Sequence, residues 1–202
     1  MARADSSDTG EREDAAAELR RQAAGIKPDR TIALVGLMGA GKTTIGRRLA
    51  KALGLRFVDA DDAIVAAAGT SIEEMFATHG ESDFRRGERR VIVRLLDAQP
   101  HVLATGGGAF IDPRTRAVMK EKAISIWLKA PLEVLMKRVS KRDHRPLLKE
   151  DDPQAVMQQL MDVRYPIYAE ADLTIETGNG PHNTAVSAII EALRGYLSEK
   201  QS

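Results

Sequence analysis

The chain has 202 residues, enough for one well-buried domain and short for two. It is 43% hydrophobic and 29% charged, has a formal charge of +1 and contains no cysteine; this excludes disulfides, thiolate metal sites and cysteine nucleophiles, and leaves no strong field to attract nucleic acid. No apolar run reaches the roughly 20 residues of a membrane span, and the first thirty residues are too polar for a secretory signal and too acidic for a transit peptide, so the expected location is the cytoplasm.

Residues 1–29 mix alternating charges with alanine and hold few large apolar groups. Such a segment buries too little surface to offset its ordering entropy, so it reads as a mobile tail with a short helix around Glu13–Ala24, ending near Pro28. A single domain is expected over 30–202.

Thr31–Val35 opens that domain as a short β-branched run suited to a strand buried on both faces. A glycine-rich turn, Gly36 to Gly41, leads into a helical stretch from Lys42 to Leu53, which Gly54 is placed to stop. Arg56–Val58 reads as a second strand ending at Asp59, and His101–Ala104, Ala123–Leu128 and Asp172–Ile175 as further strands. Helical patterns cover Asp62–Ala68, Ser71–Thr78, Glu81–Ala98, Pro113–Glu121, Pro131–Ser140, Pro153–Tyr165 and His182–Leu197. Ser71 and Glu74 have capping-box spacing, and Pro113, Pro131 and Pro153 sit where a first-turn proline is tolerated. Strands alternating with helices imply a parallel sheet covered on both faces, with sites at the carboxyl ends of the strands.

Gly36-Leu37-Met38-Gly39-Ala40-Gly41-Lys42-Thr43 fits the phosphate-loop pattern G-x-x-x-x-G-K-[ST]. Its glycines let successive backbone N–H groups turn inward onto phosphate oxygens, and the following helix adds the field of its N-terminus. Lys42 supplies a charge for the β- and γ-phosphates, and the Thr43 hydroxyl is a candidate Mg²⁺ ligand. The motif lies between a buried strand and a helix, which is the context that confirms it.

The chain has no Asn-Lys-x-Asp guanine-reading motif. The later strand His101–Ala104 runs into Thr105-Gly106-Gly107-Gly108, without the carboxylate that motor and transport ATPases place there. Instead, Asp59-Ala60-Asp61-Asp62 follow the second strand. Two carboxylates one residue apart at a strand end can serve a metal's water shell and an acceptor hydroxyl separately. Phosphoryl transfer needs such positioning more than covalent chemistry. Asp62 reads as an N-cap or first-turn residue of the next helix.

Six motifs in order, Gly36–Thr44, Asp59-Ala60-Asp61, Phe84-Arg85 with Glu88, Gly106-Gly107-Gly108, Arg145-Pro146-Leu147-Leu148 and Arg164-Tyr165-Pro166-Ile167-Tyr168, resemble the shikimate kinase family from Thr31 onward. The resemblance implies a three-layer α/β/α P-loop fold with a five-stranded parallel sheet and a lid, Mg²⁺ as the metal, and ATP and shikimate as substrates of a monomer. It makes Gly39, Ala40, Gly41, Lys42, Thr43 and Thr44 the nucleotide loop, with Thr43 and Asp59 serving the metal. Asp61 is then either the general base or the group that orients the acceptor hydroxyl. Arg85, Arg164 and the glycines Gly106, Gly107 and Gly108 would meet shikimate, whose carboxylate suits a guanidinium fork. Arg145 would be the lid arginine that neutralises developing charge, and Arg138 would pack on adenine. Two other readings stay open: a kinase for gluconate on the same scaffold, and a nucleotide-binding module without turnover, which would be expected to lack Lys42, Asp59 or Asp61. His79, His101, His144 and His182 are not expected to form a metal cluster, and Trp127 is expected in the core.

Overall fold

The computed structural model describes residues 6–140 and 151–200. Five parallel strands, β1 (Thr31–Val35), β2 (Phe57–Asp59), β3 (Val102–Ala104), β4 (Ala123–Lys129) and β5 (Leu173–Glu176), form one sheet in the order β2-β3-β1-β4-β5. β1 lies at the centre, with Ile32 beside Val102 of β3 on one side and Ile124 of β4 on the other. All five of its residues are buried, as a continuous β-branched and aliphatic run requires when helices cover both faces.

From β1 the chain crosses through α2 (Lys42–Leu53) to edge strand β2. It returns through α3 (Ala60–Ala68) and α4 (Ile72–Leu96) to β3. It then crosses through α5 (Pro113–Lys122) to β4 and through α6 (Leu132–Val139) and α7 (Pro153–Tyr168) to β5, and finishes in α8 (His182–Glu199). Right-handed crossovers running in opposite directions from the centre place their helices on opposite faces, which gives the three layers. The sheet order changes direction at β1 and β3, so a crevice opens beyond their carboxyl ends. Ile32, Leu34, Ile45, Leu49, Leu103, Ile124 and Ile126 are fully buried in the core between the layers.

Local chemistry accounts for the element ends. Gly54 stops α2 in the left-handed conformation (φ 67°), and its N–H bonds the Ala50 carbonyl. Ser71 and Glu74 form both halves of the expected capping box. Pro113 and Pro153 occupy the first turns of α5 and α7, whereas Pro131 is itself the N-cap of α6. The two helices expected over Ser71–Thr78 and Glu81–Ala98 run together as α4 across a kink at Gly80 (φ 74°, ψ 173°), a combination open only to glycine. Asp59, and not Asp62, is the N-cap of α3, with Asp62 in its first turn.

The largest departure from expectation lies at the N-terminus. Ser6–Gln22 form a helix, α1, which packs against α2 and α8. Leu19, Ala23 and Ile26 are buried in the common core. Arg194 of α8 donates to the carbonyl of Gln22 at 2.5 Å and closes the helix end. Three small contacts spaced four and three residues apart suffice because the partner surface is supplied by distant helices. Among the described residues, no helix is long and apolar enough to cross a membrane.

Candidate active site

A cavity of about 780 Å³ opens at the carboxyl end of the sheet, lined by Lys42, Thr43, Asp59, Asp61, Gly106 and Arg138 among others. Its floor is the phosphate loop. Gly36, Gly39 and Gly41 have φ of 134°, 81° and 97°, a backbone open to glycine and strained for other residues. Space enforces the same choice, because a Cβ on Gly36 would stand 2.8 Å from the Leu128 carbonyl oxygen and one on Gly39 3.1 Å from that of Leu135. Lys42 folds back along the loop, its Nζ donating to the carbonyls of Gly36 at 2.8 Å and Leu37 at 3.0 Å.

β2 delivers the first carboxylate. Thr43 Oγ1 donates to Asp59 Oδ2 at 2.9 Å, and Asp59 Oδ1 accepts from the backbone N–H of Asp61 at 3.1 Å. Capping α3 and facing the phosphate-loop hydroxyl are thus one task for Asp59. The hydroxyl and carboxylate together form an oxygen donor set of the kind that hard divalent cations take. Asp61, in the first turn of α3, faces the glycine loop instead: a Cβ on Gly106 would meet Asp61 Oδ1 at 2.8 Å and Glu88 Oε1 at 3.1 Å. The adjacent acid Asp62 also lines the cavity, so position alone leaves both carboxylates at its edge, with Asp61 the one against the glycines.

The arginines of α4 and α7 meet over the same loop. Arg85 Nη1 pairs with Glu88 Oε2 at 2.7 Å, and Nη2 with Glu81 Oε1 at 3.2 Å. Burial works against the charge of Arg85, but these two carboxylates outweigh it and raise its pKa. Glu88 is 1% exposed, and its pKa is raised by desolvation and by the Asp61 charge, while Arg85 draws it down. A Cβ on Gly108 would lie 2.2 Å from Arg85 Nη2, and one on Gly107 4.0 Å from Arg164 Nη1. Gly106 and Gly108 are thus crowded by the ends of the Asp61, Glu88 and Arg85 side chains, whereas Gly107 has ordinary clearance, with Arg164 beside it.

On the opposite side, Arg138 of α6 donates to the carbonyls of Gly39 and Ala40, each at 3.3 Å. Desolvation lowers its pKa. Asn179 and Gly180, from the loop between β5 and α8, and His182, the first residue of α8, line the cavity beside it, as does Lys137. The pKa of His182 is lowered by burial first and then by the charges of Arg138 and Arg48.

Of the residues singled out in the sequence, Gly39, Gly41, Lys42, Thr43, Thr44, Asp59, Asp61, Gly106, Gly107 and Arg138 line the cavity, while Arg85, Gly108 and Arg164 do not line it but stand at its glycine loop. Arg145 lies outside the described residues. Among the described residues no group of histidines and carboxylates forms a metal cluster, and Trp127 is buried. Gly87 makes no close approach, because a Cβ there would meet open space. Sequence reasoning passed over Lys137, Asn179, Gly180 and His182. The signal available for the last three was the Gly178-Asn179-Gly180-Pro181 turn just beyond a parallel strand.

The chain is similar to known proteins over most of its length. A family model described as shikimate kinase matches residues 38–194. Shikimate kinase from Caulobacter vibrioides is 60% identical over 165 residues, which is 82% of each chain. The enzyme of the same name from Paramagnetospirillum magneticum is 56% identical over 168 residues, 83% of this chain and 86% of that one. Among solved structures, shikimate kinase from Acinetobacter baumannii in complex with shikimate aligns with a TM-score of 0.80 at 36% identity, covering 89% of this chain and 99% of that one. A gluconokinase from Sinorhizobium meliloti shares the fold, with a TM-score of 0.58 at 17% identity over 86% of this chain and 98% of that one.

Proposed function

The chain belongs to the shikimate kinase family, and on that footing we propose that it transfers the γ-phosphoryl group of ATP to the 3-hydroxyl of shikimate, giving shikimate 3-phosphate and ADP in aromatic amino-acid biosynthesis. The observation that carries the reading is the convergence of Asp61, Arg85 and Arg164 on Gly106–Gly108, beside a complete phosphate loop. One carboxylate and two guanidiniums are what an acceptor with a hydroxyl to be phosphorylated and a carboxylate to be anchored needs.

In this reading the backbone N–H groups of Gly39 to Thr44 hold the ATP phosphates at the N-terminus of α2. Lys42 exchanges the Gly36 and Leu37 carbonyls for β- and γ-phosphate oxygens. Thr43 and Asp59 would hold Mg²⁺, which supplies charge neutralisation on the phosphates when bound. Arg85 and Arg164 fork the shikimate carboxylate, and the glycine loop lets the ring approach its backbone. Asp61 accepts a hydrogen bond from the attacking hydroxyl. A loose transition state asks for little early deprotonation, so orientation is its first contribution and proton acceptance its second. Arg138 covers the base. Arg145 would add positive charge over the transferring group. Among the described residues only Val65 and Val163 are exposed large hydrophobics, which supports a monomer.

The deciding experiment follows ADP release with Mg·ATP in the presence of shikimate, gluconate or no acceptor. Shikimate should accelerate release strongly over both other conditions. Acceleration by gluconate alone, or by neither acceptor, would overturn the assignment.

A further inference from the structure

Tyr168 is four residues beyond Arg164 on α7, hence on the same helix face. It is fully enclosed. Its ring stacks between Phe110, with centroids 6.5 Å apart, and Trp127, 6.0 Å away. Trp127 lies under the phosphate loop, its Cδ1 3.3 Å from where a Cβ of Gly36 would be. The Tyr168 hydroxyl donates to the carbonyl of Gly107, and the Arg164 guanidinium stands beside the same glycine, its Nη1 4.0 Å from where a Cβ of Gly107 would be. One buried oxygen thus ties down the middle of the glycine loop next to that arginine, while its ring packs against Trp127, the residue under the phosphate loop.

We propose that Tyr168 is a positioning residue for the acceptor, its hydroxyl holding the Gly106–Gly108 loop in the register with Arg164 that receives the acceptor carboxylate. The inference rests on the reading that Arg164 and the glycine loop meet the acceptor. A trans peptide is planar, so the carbonyl of Gly107 and the N–H of Gly108 point in opposite directions. Tying that carbonyl to Tyr168 fixes where the Gly108 N–H points. Glycines have no side chains to hold them and the greatest backbone freedom to lose, so such a loop needs an external tether. A preset loop orientation beside Arg164 lowers the entropy cost of meeting a carboxylate. Burial pushes the Tyr168 pKa up to about 12, so the hydroxyl stays a donor throughout the neutral range.

The test is steady-state kinetics on the full chain with Tyr168→Phe, which keeps the aromatic stack and removes one oxygen. The expected result is a shikimate KM raised about tenfold, with kcat and the ATP KM within about twofold of wild type. In an Arg164→Ala background the same change should move the shikimate KM by less than about twofold, because the two groups act as a unit. Tyr168→Leu, which removes ring and hydroxyl together, should raise the shikimate KM at least as much and also lower Tm. An unchanged shikimate KM in Tyr168→Phe, while Arg164→Ala raises it, would overturn this inference alone. So would a KM effect in the Leu variant but not in the Phe variant, since the ring would then be responsible. Equal rises in both substrates' KM would mark general loosening and overturn it too. If Arg164→Ala itself left shikimate KM unchanged, the assignment of the acceptor site would fall first.

Discussion

The two halves of the cavity are built on different principles. The nucleotide half is a backbone device. Between Gly36 and Thr44 the chain presents its own amides, three glycines in left-handed or otherwise glycine-favoured conformations, and one lysine that bends back onto the loop. The acceptor half has no continuous segment. Asp61 comes from α3, Arg85 from α4, the glycines from the end of β3 and Arg164 from α7, and they meet only because the sheet order brings those ends together. A site made of contiguous backbone is robust to its surroundings and recognises what all nucleotides share. A site assembled from distant side chains depends on packing at every contributor, and can be specific for one acid. The two halves should therefore fail separately.

The most damaging single change falls between them. Asp61→Asn keeps the size of the side chain and its place against Gly106 while removing the charge that faces the acceptor. Turnover should fall by at least about 100-fold, the lower bound typical of general acid–base groups, with ATP affinity measured by equilibrium titration unchanged. Turnover near the wild-type rate would assign the hydroxyl-facing role to Asp62 or another group.

Two glycine-to-alanine changes break the halves apart more cleanly. Gly39→Ala would force a left-handed φ on a residue with a Cβ and press it to 3.1 Å from a backbone carbonyl that cannot easily move, at a cost of about 1–3 kcal/mol. ATP binding should weaken roughly tenfold or more, with shikimate binding in the absence of nucleotide retained. Gly108→Ala has no such φ problem, and its Cβ meets only the far end of Arg85. Arg85 should swing aside at little cost to folding, raising the shikimate KM about five- to tenfold and leaving the ATP KM in place. If either variant impaired both substrates alike, the independence of the halves would be lost.

The same contrast explains what could be read from the sequence. β1, the phosphate loop and α2 occupy the residues expected, because their signals, a β-branched run, spaced glycines and a C-terminal glycine, all act over a few residues. Arg85 and Arg164 offered no local signal, since isolated arginines on helices are ordinarily solvated. They became legible only as members of an ordered set of motifs, and the structure supplies their context, with Arg85 crowding Gly108 and Arg164 standing beside Gly107. Lys137 and His182 stayed hidden because nothing in their neighbourhood distinguishes them from surface residues until the loop after β5 folds against α6. Glu88 appeared only as part of a motif. Its near-complete burial beside Arg85 could not be read from a helix whose pattern is broken by Gly80 and Gly87.

α1 is the opposite failure, a segment read as a mobile tail that the structure docks on α2 and α8. Its alanines and charges give no amphipathic pattern, and the burial of Leu19, Ala23 and Ile26 is decided by helices far away in sequence. The smallest expected effect on catalysis comes from here. Leu19→Ala removes one apolar contact at the margin of the core, worth about 2 kcal/mol at the low end of such truncations, which for a chain of this size corresponds to a fall in Tm of about 4–8 °C. Turnover and both KM values should stay at wild-type levels, because α1 contributes nothing to the cavity and the start of α2 is held by the phosphate loop and the sheet. An unchanged Tm would mean that α1 does not dock in solution. A fall in turnover at a temperature well below Tm would mean that α1 steadies α2, and that the backbone device holding the nucleotide extends to the far end of the helix carrying Lys42 and Thr43.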